Sequence, residues 1–397
     1  MPYAEGYLKI QQPVEKRTPA GGAATLSDPR KYWVGFNLVK GIGAARLRRL
    51  IDYFGSVEIA WMAPGKALLE AGLSQKIVEN FLLLRSGISL DRVWERILES
   101  GIEVLTWEDE AYPKRLIEID QPPPVLYLRG DLRPEDDWAV AIVGTRRMTA
   151  YGRQVAEEVG HFLASNGVTV ISGLARGVDS VAHKAALDAG GRTFAVLGNG
   201  VDQVYPPEHR RLADLIVQHG ALISDYALGT PPDSVNFPPR NRIISGLSQA
   251  VVIVEAGDRS GALITASFAA EQGREVFAVP GNINAPQSKG TNRLIQQGAN
   301  PLLEPKEILE MLNLTQIVEH RHARATLPVD PTEARLLGVL GQEPTYIDDI
   351  CHQADMPVDQ VSAILVLMEL KGMVRQVGGM NYVAVREIQA DYQTEEG

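Results

Sequence analysis

The chain has 397 residues, 45 % of them hydrophobic, and a net charge of −10, enough for two to three domains at roughly 150 residues each. Its single cysteine, Cys351, excludes an intrachain disulfide and a metal site of clustered cysteines. No apolar run reaches the ~18 residues of a membrane span, so a cytoplasmic protein is expected. The acidity is uneven: Lys and Arg against Asp and Glu run 18 to 20 over residues 1–137, 14 to 13 over 138–300 and 7 to 16 over 301–397. A local basic patch in the balanced middle can still bind phosphate, because exposed charges are screened over ~8–10 Å.

Residues 1–28 lack the hydrophobic core of a signal peptide and read as a disordered leader. Residues 29–100 read as a helical domain. An apolar helix from Lys31 runs into GIGAARLRRLIDYFG, Gly41 to Gly55. Gly41 and Gly43, followed by Arg46 on a helix, resemble a helix-hairpin-helix turn, whose backbone amides face a DNA phosphate. A weaker copy lies at Ala71-Gly72-Leu73. A helical module that only packs reads equally well, since glycine turns between helices are common.

Residues 101–313 carry the pattern of an extended Rossmann domain. GIEVLT (101–106) and residues 125–128 are strand-like, with Tyr112-Pro113 and Gln121 to Pro124 forming a rigid connection between them. Strands follow at 139–143, 168–172, 193–197, 221–224, 250–254 and 275–279, with helices near 150–166, 178–189, 208–219, 239–247, 261–273 and 290–298. This alternation predicts a doubly wound parallel sheet, whose ligand crevice lies outside the carboxyl ends of the strands.

Every glycine-rich stretch falls at such an end. The first strand, AVAIV, leads into Gly144-Thr145-Arg146-Arg147 and a helix from about Thr149, an anion-binding arrangement. The dinucleotide fingerprint G-x-G-x-x-G is absent, and no cofactor is expected. The next exits are Ser172-Gly173-Leu174-Ala175-Arg176-Gly177, Gly198-Asn199-Gly200 with Tyr205 soon after, and Phe237-Pro238-Pro239-Arg240-Asn241-Arg242. Arg240 and Arg242 fall at the positive end of a helix dipole, a conflict that a nearby anion would remove. Convergence of Arg146, Arg147, Arg176, Arg240 and Arg242 on one rim predicts phosphate binding, and Tyr205 and Phe237, which border these loops, read equally well as stacking faces for unpaired bases or as core residues.

A fifth exit, Glu255 followed by Gly257 to Thr265, offers a carboxylate that holds a hydroxyl, acts as a base or braces a loop. His183 is a candidate general acid, but among Val181, Ala182, Ala185 and Ala186 it reads more readily as a hydrogen-bonded structural histidine. There is no nucleophile with an orienting base and no metal-ligand spacing, so catalysis is not required.

Residues 314–328 read as a linker and 387–397 as a flexible tail. Between them, 329–386 holds three helices (Thr332 to Leu340, Tyr346 to Ala354, Val358 to Lys371) and a glycine-tipped hairpin, a winged helix. Its third helix is apolar and acidic, whereas a groove-reading helix presents basic and amide side chains. It is expected to pack or to bind protein more than to read DNA.

AIVGTRRMTAYG, ISGLARGVDSVAH, FAVLGNGVDQVYPPEH, FPPRNRIISGLS and VVIVEAGDRSGALITASFAAEQGREVFAVPG resemble, in order and spacing, the bacterial DNA-processing protein A (DprA/Smf) family. The match is dense over residues 105–300. The resemblance implies a recombination mediator that binds single-stranded DNA, loads RecA onto it and protects incoming strands during natural transformation. It also implies a homodimer, and a helical N-terminal domain, an extended Rossmann domain and a winged helix in that order. Carried over, the strand pocket comprises Gly144, Thr145, Arg146, Ser172, Gly173, Arg176, Gly177, Asn199, Gly200, Arg240, Asn241 and Arg242. Relatives carry a lysine after the Tyr-Pro pair where this chain has Pro207 and Glu208, which shifts the expected phosphate contact to Arg210 and Arg211. The rival class is the lysine-decarboxylase-like phosphoribohydrolases, in which Glu255 or Asp179 would be catalytic; their P-G-G-x-G-T signature is missing.

Overall fold

A computed structural model describes residues 28–314, 331–340, 344–370 and 374–384. The leader, linker and tail read from the sequence lie, apart from Asp28 and Leu314, outside these residues. The chain divides into two compact units, Met1–Ile308 and Leu309–Gly397.

The first unit begins with six helices: α1 (Arg30–Leu38), α2 (Ala44–Phe54), α3 (Val57–Met62), α4 (Gly65–Glu70), α5 (Gln75–Gly87) and α6 (Leu90–Glu99). Ser56 and Ser89 start α3 and α6 by accepting the N–H groups of Ile59 and Arg92, which satisfies donors that a helix leaves unpaired at its first turn. Phe36, Trp61 and Phe81 pack ring to ring at 5.0–5.4 Å. Gly41 turns the chain between α1 and α2 at φ +99°, and Gly72 does so between α4 and α5 at φ +92°. Both predicted glycine turns are therefore left-handed corners between helices.

The sheet is built from β1 (Glu103–Thr106), β2 (Val125–Gly130), β3 (Ala139–Val143), β4 (Thr169–Ser172), β5 (Thr193–Val196), β6 (Gly220–Ser224), β7 (Ala250–Ile253), β8 (Glu275–Ala278) and β9 (Asn300–Pro301). Its order is β1-β2-β6-β5-β4-β3-β7-β8-β9. Strands from β6 to β9 pair in parallel, and β2 and β1 extend that edge antiparallel. The intervening helices are α7 (Lys114–Ile117), α8 (Ala150–Ser165), α9 (Val178–Asp188), α10 (Arg210–His219), α11 (Phe237–Gly246), α12 (Ala262–Glu271) and α13 (Lys289–Gln296), and α14 (Lys306–Met311) follows β9.

Alternate residues of the central strands join two different cores, as expected of a sheet covered on both faces. Tyr127, Ala195 and Leu222 pack with the N-terminal helices and α10, while Leu126, Phe194, Ile223 and Val251 pack with α11 and α12. The chain moves outward from β3 to β6 and then returns to place β7 on the other side of β3. That reversal is where an open α/β sheet leaves its ligand crevice.

The second unit holds α15 (Pro331–Val339), β10 (Thr345–Tyr346), α16 (Ile347–Ala354), α17 (Val358–Leu370), β11 (Val374–Gln376) and β12 (Asn381–Ala384), a three-stranded sheet of order β10-β12-β11 against three helices. Leu336, Ile350, Val361, Leu365 and Met368 form its core. Asp359, Gln360, Val366, Leu367 and Glu369 of α17 are exposed. No helix among the described residues is long and apolar enough to cross a membrane.

Candidate nucleic-acid interface

A groove of about 730 Å³ opens at the carboxyl ends of β3 and β7, lined by Gly144 to Arg147, Tyr205, Phe237 to Asn241 except Pro239, and the stretch Arg259 to Thr265 except Leu263. Glycine is required where this groove is tightest. A Cβ on Gly144 would meet the Val178 side chain at 2.6 Å, and Gly177, at φ +83°, lies against the Thr145–Arg146 backbone. The β4 exit is held just as firmly. Asp179 accepts the N–H groups of Gly173 (3.1 Å) and Ala175 (3.3 Å) across buried Leu174, which is left-handed at φ 58°. Such strain persists only where surrounding contacts over-determine it.

Aromatic and cationic groups converge at the groove mouth. Tyr205 and Phe237 stack with ring centroids 5.9 Å apart, and the Tyr205–Pro206 peptide is cis. The guanidinium of Arg146 stands 5.7 Å from the Phe237 centroid and that of Arg240 5.8 Å, within cation–π range. Arg146, Arg147 and Arg259 are exposed and have no carboxylate partner among the described residues.

The five-arginine rim expected from the sequence is corrected by these positions. Arg240 is 5 % exposed and donates to the carbonyls of Gly173 (2.9 Å) and Val196. Burial draws its pKa down to about 10 against the opposing pull of Asp179. Arg242 is half-buried and pairs with Asp225 at 2.7 Å. Arg176 is exposed and pairs with Glu208 at 2.5 Å. The conflict with the α11 dipole is thus relieved from inside the protein, by carbonyls at strand ends for Arg240 and by a carboxylate for Arg242, without an external anion.

The remaining predicted residues divide into a supporting layer and an outlying set. Ser172, Gly173, Asn199 and Gly200 are buried. Ser172 donates to the Ile142 carbonyl at 2.6 Å, and Asn199 donates to those of Gly200 and Gln203. Asn241 lines the groove and donates to the Gly261 carbonyl. Arg210 and Arg211 are exposed at the start of α10 and are not among the groove-lining residues. Neither are Gly41, Gly43 and Arg46, where Arg46 donates back to the Gly41 carbonyl at 2.8 Å. Sequence reasoning left out Arg259, Ser260, Gly261, Ile264 and Thr265 as site residues, although their position after the β7 exit was the available signal.

The candidate catalytic groups are engaged in structural bonds. Glu255 is buried and accepts from the Thr149 N–H (2.9 Å) and hydroxyl (2.5 Å), bracing the start of α8. Burial raises the pKa of Asp179, opposed by Arg240 and the two backbone N–H groups it accepts. His183 Nδ1 lies 2.7 Å from the Thr193 hydroxyl, which itself donates to Val170, so the ring nitrogen carries the proton. Burial lowers the pKa of His183 to about 3 and keeps it neutral.

The helical region is tied to this site. Asn37 of α1 donates to the Asp225 carbonyl at 3.1 Å and accepts from the Tyr127 hydroxyl at 3.0 Å. Asp225 in turn holds Arg242 of α11.

The family model for DNA recombination-mediator protein A matches residues 103–313, and that for the DprA winged helix domain matches 320–380. The chain is 35 % identical over 388 residues to protein Smf of Synechocystis sp., covering 88 % of this chain and 98 % of that one. It is 41 % identical over 327 residues to protein Smf of Escherichia coli, covering 80 % and 87 %. The crystal structure of DNA processing protein A from Streptococcus pneumoniae superposes with a TM-score of 0.63 at 32 % identity, covering 70 % of this chain and 97 % of that one. The dense run of motifs, the sheet with its reversed strand order and the winged helix thus have one common source: the chain belongs to the DNA recombination-mediator protein A (DprA/Smf) family.

Proposed function

We propose that this protein is a cytoplasmic recombination mediator that holds single-stranded DNA in the groove at the β3 and β7 ends. The reading rests on one observation above the others: Arg146, which has no carboxylate partner among the described residues, stands over the Phe237 ring, itself stacked on Tyr205, at the mouth of an open groove. Cations along a strand's backbone beside aromatic faces for its bases are how proteins hold unpaired nucleic acid without reading sequence. Arg146, Arg147 and Arg259 supply the phosphate contacts, while Arg240 and Arg242 shape the groove from beneath. Residues 101–313 form the DNA-binding domain, 29–100 a helical domain with a secondary contact at Gly41, Gly43 and Arg46, and 329–386 a winged helix that binds protein. The mediator acts as a homodimer that protects the strand and loads RecA in transformation or repair, with no cofactor and no catalytic step of its own.

Fluorescence anisotropy with labelled single-stranded and duplex oligonucleotides across a salt series tests this. Neutralising about three strand phosphates, one for each of Arg146, Arg147 and Arg259, gives a slope of log affinity against log salt of roughly −2. Preference for the single strand with such a slope supports the reading. Flat salt dependence, or absence of binding, refutes it.

A further inference from the structure

Glu208 lies in the short turn Pro207–His209 that follows Tyr205–Pro206. His209 Nδ1 bonds the Leu174 carbonyl at 2.9 Å, which clamps this turn onto the loop bearing Arg176. From that anchored position the Glu208 carboxylate reaches the Arg176 Nε at 2.5 Å. The carboxyl is held below its ordinary range by this guanidinium, although both side chains are about half exposed. Arg176 belongs to a pocket shared with Arg146, Tyr205, Phe237 and Arg240, the cluster at the groove mouth. A carboxylate oxygen on a guanidinium has the charge and geometry of a phosphate oxygen there.

We propose that Glu208 occupies the place of a strand phosphate on Arg176 in the DNA-free protein, and that a bound strand takes Arg176 by displacing it. The inference rests on the strand-binding reading and adds a residue that limits affinity. Glu208 cancels one cation of the mouth and also presents a negative charge to the incoming backbone. The contact is solvent-exposed, so displacement costs little, and its removal is worth about two- to fivefold in affinity. Because the effect is between exposed charges, it is strongest at low ionic strength and fades as the screening length falls from ~30 Å at 0.01 M to ~8 Å at 0.15 M.

The test is anisotropy binding of a labelled oligothymidylate to the full chain and to Glu208→Gln, Glu208→Lys and Arg176→Gln, alone and with Glu208→Gln, with melting curves for each. The expected result is that Glu208→Gln binds about two- to fivefold tighter at low salt, that Glu208→Lys binds tighter still, and that both gains shrink as salt rises. Arg176→Gln is expected to lose more affinity in the Glu208→Gln background than in the unmodified chain, since only there is Arg176 free in the absence of DNA. Unchanged or weaker binding by Glu208→Gln with normal melting overturns the proposal and makes the pair a loop brace. Failure of the unmodified chain to bind any oligonucleotide overturns the strand-binding reading instead.

Discussion

Replacing Arg240 by methionine separates a structural arginine from a DNA-contacting one. The guanidinium is 5 % exposed and donates to the carbonyls of Gly173 and Val196 at the ends of β4 and β5. Methionine fills much of the volume but leaves both acceptors without a donor. Each buried acceptor left unsatisfied costs about 1–3 kcal/mol. The desolvation that draws the arginine down to about pKa 10 is relieved at the same time, leaving a net loss of about 2–4 kcal/mol. At about 2–4 °C per kcal/mol for a unit of this size, melting falls by about 4–16 °C. Circular dichroism melting of Arg240→Met beside Arg146→Ala, with strand affinity measured well below both midpoints, is the assay. A melting point equal to that of the unmodified chain, with affinity lost as in Arg146→Ala, would refute the reasoning and put the guanidinium on the strand.

Arg146→Ala removes an exposed side chain with no carboxylate partner among the described residues, so stability stays within about 0.5 kcal/mol. Its loss of affinity is uniform across oligonucleotide sequences and lowers the salt slope by about 0.7; sequence-selective loss would point to base contacts. His183, at about pKa 3 in the fold against 6.5 as its ordinary value, gives stability that is complete above pH 6.5. As the pH falls from 6.5 toward 3 the unfolded chain takes up the proton first, and stability declines by up to about 1.4 kcal/mol per pH unit. Urea midpoints from pH 7 to 5 should show this decline flattened in His183→Gln, and an equal slope in both proteins would refute it. Gly177→Ala places a Cβ on the Thr145 carbonyl at a left-handed position, whereas Gly190→Ala is left-handed but has open space around it. Melting and strand binding should both suffer in Gly177→Ala, with only a modest loss of about 1 kcal/mol in stability for Gly190→Ala; equal effects would show that packing against Thr145 is unimportant.

The parallel strands were legible in the sequence because runs such as AVAIV and AVVI are buried on both faces, leaving no polar alternation to confuse the reading. The reversal that places β7 beside β3 fixed where to look for a groove, and the glycine turns there are the ones read from the sequence. What each arginine does was not legible. Arg240 follows two prolines and reads as exposed, but its acceptors belong to residues 44 and 67 positions away. Arg242 meets Asp225 across 17 positions and Arg176 meets Glu208 across 32. A side chain's partner across a fold leaves no mark in local spacing, so a cluster of cations on one rim could not be sorted into free, paired and buried before the sheet was seen. The antiparallel placement of β1 and β2 was likewise hidden, because strand propensity does not carry direction.

The bond from Asn37 to Asp225 spans 188 positions, and this has a consequence for the order in which the molecule comes together. During synthesis the first helix is complete long before the strand end that it will hold has left the ribosome, and N-terminal segments fold first where they can. The loop after β6, which leads to Phe237, is therefore docked against a surface already built, and its closure requires the intervening sheet to be in place. Contacts of such long range are the slow ones. The groove mouth, which needs Phe237 beside Tyr205 and Arg146, is then a late feature of the first unit to form.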